Sequence, residues 1–154
     1  MIRIVKHART LEVTSSSGKT LFSCSVSLGE CPVGAKTREG DMKTPEGRYH
    51  ITHKNAGSKY HIALGISYPS RKDAYLAQRE KRISKMTAMR ILLCDLFRIR
   101  PPWKTSLGGF IMIHGEHPDG KSGDWTAGCI AVKNSEIEKI AKLVKRGEAV
   151  EILP

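Results

Sequence analysis

Between Thr20 and Leu28 the chain alternates without a break: Phe22, Cys24, Val26 and Leu28 are apolar, while Ser23, Ser25 and Ser27 are polar. An extended backbone sends successive side chains to opposite sides, so this run buries one face only as a β-strand. On a helix the same residues would scatter around the axis. A strand needs neighbours. Residues 2–6 and 10–14 are short runs of alternating character, and Ser15-Ser16-Ser17-Gly18 supplies a turn. The second of these runs and 20–28 are therefore expected to pair as a hairpin. The serine row is then a solvent face, not a cluster of nucleophiles. Ala149–Leu153 reads as a last strand.

From Ser70 to Arg98 the period changes. Ala74, Ala77, Ile83, Met86, Met89, Leu93, Leu96 and Phe97 recur at helical intervals, and Arg79, Lys81, Arg82, Lys85 and Arg90 fill much of the remainder. The pattern predicts one amphipathic basic helix or two, ending before Pro101-Pro102. Its apolar stripe is expected on the sheet and its basic face in solvent. A lid, a polyanion contact or an anionic membrane surface are the functional alternatives. Near the C-terminus Ser135-x-x-Glu138 reads as a capping box. It opens a helix whose stripe is Ile137, Ile140, Ala141 and Val144, with Lys145-Arg146 at its end and Gly147 as its cap. The sum is a single domain of 154 residues, mainly β, with a helical insertion at about 70–105 and a C-terminal helix.

A net charge of +11 bears on partners, not on fold. An anionic polymer, a membrane surface and nucleic acid all fit it. The absence of any nucleic-acid motif and an aromatic content of 6% place nucleic acid last. No apolar run approaches the ~18–20 residues of a membrane span. Charge interrupts Met1–His7 at once, so no secretory core is read there. The expectation is a cytosolic protein or a trimmed, mature form. The four cysteines, at 24, 31, 94 and 129, have no metal or redox spacing. Cys24 falls on the core face of its strand, and a Cys24–Cys31 bridge is conceivable only in an exported form.

The chemistry-bearing stretch is FIMIHGEHPDGKSGDWTAGCIAVK, from Phe110 to Lys133. Phe110-Ile111-Met112-Ile113 reads as a buried strand ending at His114-Gly115. A glycine-rich polar loop leads to Trp125-Thr126-Ala127-Gly128-Cys129, and Ile130-Ala131-Val132 restarts as a strand. A His and a Cys held across one loop by two strands suit nucleophilic catalysis, because an imidazole can take the thiol proton and form a thiolate–imidazolium pair. Gly128 admits close backbone approach to a substrate carbonyl, and N–H groups around it suit an oxyanion hole. Trp125 and Thr126 are read either as a groove wall and a substrate contact or as structural residues. His114, His117, Asp119 and Cys129 form an alternative ligand set for zinc, but without the paired spacings such sites use.

This stretch resembles the L,D-transpeptidase catalytic domain (YkuD family), and within it the subgroup carrying Asp-Trp-Thr-x-Gly-Cys-Ile-Ala-Val, matched from Asp124 to Val132. A second segment, Gly40-Asp41 through Thr44-Pro45-Glu46-Gly47-Arg48-Tyr49-His50-Ile51, and a third, Ser58 to Pro69, resemble the same family in the same order. The resemblance implies a β-sandwich-like fold, Cys129 as nucleophile, His114 as general base and the Gly115 carbonyl as its orienter. Gly128, Ala127, Thr126 and Trp125 then border the oxyanion and substrate region. No metal or organic cofactor is implied. The implied substrates are peptidoglycan stem peptides, with anionic cell-wall polymer as a further partner and the cell envelope as location. Transfer to an amine, hydrolysis, or binding without catalysis remain open, as does oligomeric state. Thr126-Ala127 stand where the family usually has Ser-His, and Ala131 where many members have Arg, so no role of that His or Arg carries over. His50, His53 and His61 are expected on strand surfaces.

Overall fold

The computed structural model describes every residue from Met1 to Pro154. Eight strands and three helices follow in the order β1 (Ile2–Val5), β2 (Thr10–Thr14), β3 (Thr20–Ser25), β4 (Gly47–Ser58), β5 (His61–Ile66), α1 (Arg71–Arg79), α2 (Lys85–Leu96), β6 (Met112–His114), β7 (Ile130–Ala131), α3 (Asn134–Leu143) and β8 (Ala149–Leu153). The strands form one sheet in the spatial order β3-β2-β1-β8-β4-β5-β6-β7, so the domain is mainly β.

The hairpin expected from alternation is present, with Leu11 opposite Cys24 and Val13 opposite Phe22. The last strand enters the middle of the sheet, parallel to β1 and antiparallel to β4. Strand β4 is long enough to serve two partners. Gly47–His50 pairs with β8, and the part beyond Ile51 pairs with β5 across two register shifts. The sheet curls as it crosses β4, so its two halves face each other as sandwich layers. Their free ends then meet. Ser27 and Ala131 exchange both backbone hydrogen bonds, each 2.8 Å, which joins the continuation of β3 to β7.

The core between the layers holds twenty buried residues, among them Ile2, Ile4, Leu11, Leu28, Ile51, Leu64, Ile113, Ile130 and Ile152. From α3 it takes Ile137, Ile140 and Val144, the stripe read from spacing. The cap of that helix lies two residues earlier than the capping box at Ser135 implies. Lys133 is the N-cap residue and donates its N–H to Glu136, while Glu138 instead meets His61 at 2.7 Å. The helix also ends at Leu143, short of Lys145-Arg146.

The insertion is two helices, and the orientation of the second departs from expectation. Its inward side consists of Ala88, Ile91 and Cys94, and Ala88 and Ile91 pack with Ala74, Ala77 and Leu107 in a small separate core. Met86, Met89, Leu93, Leu96 and Phe97, expected against the sheet, face solvent. Small residues let α1 and α2 approach each other closely, and that contact wins the inward position. His50 also departs from expectation. It is buried, against a predicted strand surface, and its Nε2 has no hydrogen-bond partner. All four cysteines are free thiols, and Cys24 packs half-buried against the core.

Candidate active site

The pairing of β6 with β7 places the thiol and the imidazole together. Ile113 pairs with Ile130 and His114 with Ala131 in parallel register. One residue earlier, Cys129 falls opposite Met112. Residues two apart share a face, so Cys129 and His114 leave the same side of the sheet, while Ile113 and Ile130 enter the core on the other. Strand geometry sets their Cα atoms roughly 8 Å apart on the diagonal, within the joint reach of the two side chains. Phe110, expected in the strand, precedes it instead. It adopts φ 57°, is exposed, and its carbonyl accepts from the Cys129 thiol at 3.4 Å.

His114 is 3% exposed, and its Nδ1 lies 2.8 Å from the Gly115 carbonyl oxygen. A carbonyl can only accept, so Nδ1 carries the proton and Nε2 keeps a free lone pair. Gly115 has no room for a side chain: a Cβ there would stand 2.3 Å from Asn134 Oδ1 and 2.7 Å from the Tyr60 oxygen. The imidazole is also clamped face to face by Tyr60, centroids 4.4 Å apart and planes at 19°. Trp125 leans on both rings at 5.5–5.6 Å, and Lys59 lies over the far face of Tyr60 at 4.7 Å. Tyr60 was not singled out from the sequence. The signal available was its place just before the strand that pairs with His114.

Burial pushes the Cys129 thiol up to about 11, against the pull of a Met112 backbone hydrogen bond and the charges of Lys36 and Lys59. Burial holds His114 below the usual imidazole value, a fall that the Gly115 carbonyl opposes and Lys59 assists. Both shifts favour the uncharged forms. That balance favours a neutral thiol beside a neutral imidazole over a resting ion pair.

The turn before Cys129 is braced from within. The Thr126 hydroxyl, 3% exposed, accepts from the Gly128 N–H at 3.1 Å and donates to the Cys129 carbonyl at 2.7 Å. That engages the Thr126 hydroxyl in bracing the turn. It also removes the Gly128 N–H from the expected oxyanion hole, leaving the N–H groups of Ala127 and Cys129 without partners. Gly128 itself has φ 125°, and a Cβ would stand 2.5 Å from the Lys43 carbonyl oxygen. The loop therefore rests directly on the segment before β4.

Two buried lysines fix that segment. Lys6 bonds Glu46 and the Gly34 carbonyl, each at 2.7 Å. Lys36 meets Asp41 at 2.8 Å, and Asp41 also accepts from the N–H groups of Thr37, Arg38 and Lys43. Burial alone would raise the Asp41 carboxyl, but Lys36 and those N–H groups outweigh it and hold it below its ordinary value. The other end of the loop is tied by Asp124, which bonds Arg9 at 2.7 Å and the Leu28 N–H at 2.8 Å. His117 contacts Trp125 edge-on at 5.0 Å and accepts from the Asp119 N–H, and no three His, Cys, Asp or Glu side chains converge as metal ligands. Among the remaining histidines, His53 tilts against Trp103 at 5.6 Å and His61 meets Glu138.

A curled, mainly β domain of this kind is the fold of the L,D-transpeptidases. The sequence profile of the L,D-transpeptidase catalytic domain family, YkuD, matches residues 1–152, and the chain belongs to that family. Among solved structures it is similar to the helical cell shape determining protein Pgp2 from Campylobacter jejuni, with 28% identity and a TM-score of 0.69 over 98% of this chain and 46% of that one. It is also similar to Bd1075 from Bdellovibrio bacteriovorus, at 25% identity and 0.64 over 99% of this chain and 47% of that one. L,D-transpeptidase 1 of Mycobacterium tuberculosis shares the fold at 14% identity and 0.54, over 99% of this chain and 60% of that one. The chain thus spans about half the length of the first two. No curated protein sequence matches it.

Proposed function

We propose that residues 1–154 form one catalytic unit that carries out acyl transfer on peptidoglycan stem peptides through a thioester at Cys129. The observation that carries this reading is the tautomer of His114. The Gly115 carbonyl holds Nδ1–H, so Nε2 keeps its lone pair free to act as the base, on the strand beside the one that Cys129 precedes. With both groups neutral at rest, the proton moves to Nε2 as sulfur attacks the carbonyl carbon next to the terminal D-alanine. The oxyanion is received by the N–H groups of Ala127 and Cys129, which have no other partner. The intermediate expels the amine of D-alanine, which takes the proton back from the imidazolium. An acceptor amine then attacks the thioester to give a cross-link, or water attacks to give a trimmed peptide.

Aromatic rings cover the His114 side of the site, where Tyr60 stacks on the imidazole and Trp125 leans on it. The likeness to a cell-shape determining protein supports a role in cell shape; the cell envelope is the location proposed with it, and hydrolysis is the second reading. Intact mass of the protein mixed with tetrapeptide muropeptides tests the proposal. The expected result is an acyl adduct with D-alanine release, both lost in Cys129→Ala and in His114→Ala. Dimeric or trimmed products separate transfer from hydrolysis. Turnover surviving in Cys129→Ala would falsify the thioester.

A further inference from the structure

The most apolar side of α2 has nothing packed on it. Met86 is 76% exposed, Leu96 69% and Phe97 68%, and Met89, Leu92 and Leu93 lie between them on the same side. An exposed apolar face of this kind normally marks a contact surface. Its surroundings are one-signed. From Arg71 to Arg100 the chain has nine Lys or Arg against three Asp or Glu. All three carboxylates are already engaged: Asp73 by Ser70, Glu80 by Arg82 and Asp95 by Arg71. Lys85 and Arg90 share the outward side of α2 with the apolar residues. Beside Leu96 a cleft of about 710 Å³ opens, where Asp95 and Glu151 pair with Arg71 and Arg48, leaving Lys72, Arg98 and His50 with its unpartnered Nε2 as its free cationic or donor groups.

We infer that this surface docks on an anionic lipid bilayer. Apolar side chains ringed by an excess of cations match the layering of such a bilayer, acyl chains beneath and phosphates at the rim. Leu92, Leu93, Leu96 and Phe97 enter the acyl boundary, Lys85 and Arg90 meet headgroups, and the cleft receives a headgroup phosphate. A second copy of this chain fits less well, because each copy carries a net charge of +11 and pairing would set two basic faces together. No helix is long and apolar enough to cross a membrane, so the attachment is peripheral. It stands apart from the chemistry at Cys129, which contributes no residue to it.

The test is co-sedimentation with phosphatidylcholine vesicles, with and without phosphatidylglycerol, at low and high salt. The expected result is binding only to the anionic vesicles, weakened by salt. Lys85→Glu with Arg90→Glu should weaken it at least about twentyfold, near fivefold for each cation removed. Leu96→Ser with Phe97→Ser should abolish it, with the circular dichroism and melting temperature of the wild type, since both side chains are exposed. No binding to anionic vesicles overturns the inference, as does binding that the Leu96/Phe97 change leaves intact. Sedimentation equilibrium of the free protein supplies a further check. A dimer lost in the same variant overturns the lipid surface in favour of a second copy.

Discussion

Replacing Thr126 by Val separates the brace from the chemistry it holds. The two side chains have nearly the same shape, so the change opens no cavity and removes only the hydroxyl. That hydroxyl is the hydrogen-bond partner of the Gly128 N–H and of the Cys129 carbonyl. Each orphaned buried group costs about 1–3 kcal/mol. Entry of water offsets part of this, so a net loss of about 2–4 kcal/mol is expected. For a chain of this size the melting temperature should then fall by roughly 5–15 °C. Thr126→Ser keeps the hydroxyl, loses one methyl and should stay within about 1–2 kcal/mol of wild type. Urea denaturation of the three proteins, read by circular dichroism, gives the comparison. If Val proves as stable as wild type, the hydroxyl is not the brace, and the assignment of the free N–H groups at Ala127 and Cys129 falls with it. A stable Val variant with unchanged alkylation of Cys129 would be the clearest refutation.

Further outcomes follow from the same geometry. His50, His53 and His114 are all held below the usual imidazole value, chiefly by burial. Each binds fewer protons folded than unfolded once the pH drops below ~6.5, so stability should fall as the pH is lowered through that value. Asp41 adds a second loss lower down, because its depressed carboxyl stabilises the fold above ~3.9 and ceases to as the pH falls through its folded value. Equal urea midpoints at pH 7.5 and 5.5 would contradict the histidine part. With its thiol near 11, Cys129 should react with iodoacetamide at a rate that climbs steadily to pH 9, with none of the acid plateau of an ion pair. Cys24, pushed up to about 12 by burial, should label more slowly still, and peptide mapping distinguishes the two. Gly115→Ala drives a methyl into Asn134 and the Tyr60 carbonyl, so it should destabilise by about 1–3 kcal/mol and cut turnover, seen as a shift in the His114 ring-nitrogen resonances.

What the sequence makes legible here is periodic. Alternation places Leu11, Cys24 and Val13 in their strands, and spacing finds the Ile137–Val144 stripe, because one buried face leaves a repeat in the residue order. Periodicity does not say which of two apolar sides turns inward. In α2 Ala88 and Ile91 went in, because the small Ala88, Ala74 and Ala77 let the two helices close around Ile91. Lys6 and Lys36 enter the sequence only as part of its net charge, yet both are buried and tie down the loop behind Cys129. Their partners Glu46 and Asp41 lie 40 and 5 residues away, and no local rule links such pairs. The cap of α3 was misplaced because Glu136 and Glu138 both suit the role, and His61, brought in by β5, claimed the second. The same limit hid Tyr60: its ring meets His114 only because β5 pairs with β6.

Strand β8, the last in sequence order, lies between β1 and β4. The first three strands therefore have no sheet to join until residues 149–153 are available, apart from the short contact at Ser27 and Ala131. Cys129 sits beside that contact, and its loop is tied to Arg9 and Leu28 of the opening hairpin. The thiol is thus assembled only when both ends of the chain have met. A chain lacking residues 149–153 would still hold both residues of the pair but lose the strand that joins the opening hairpin, to which the Cys129 loop is tied, to the rest of the sheet.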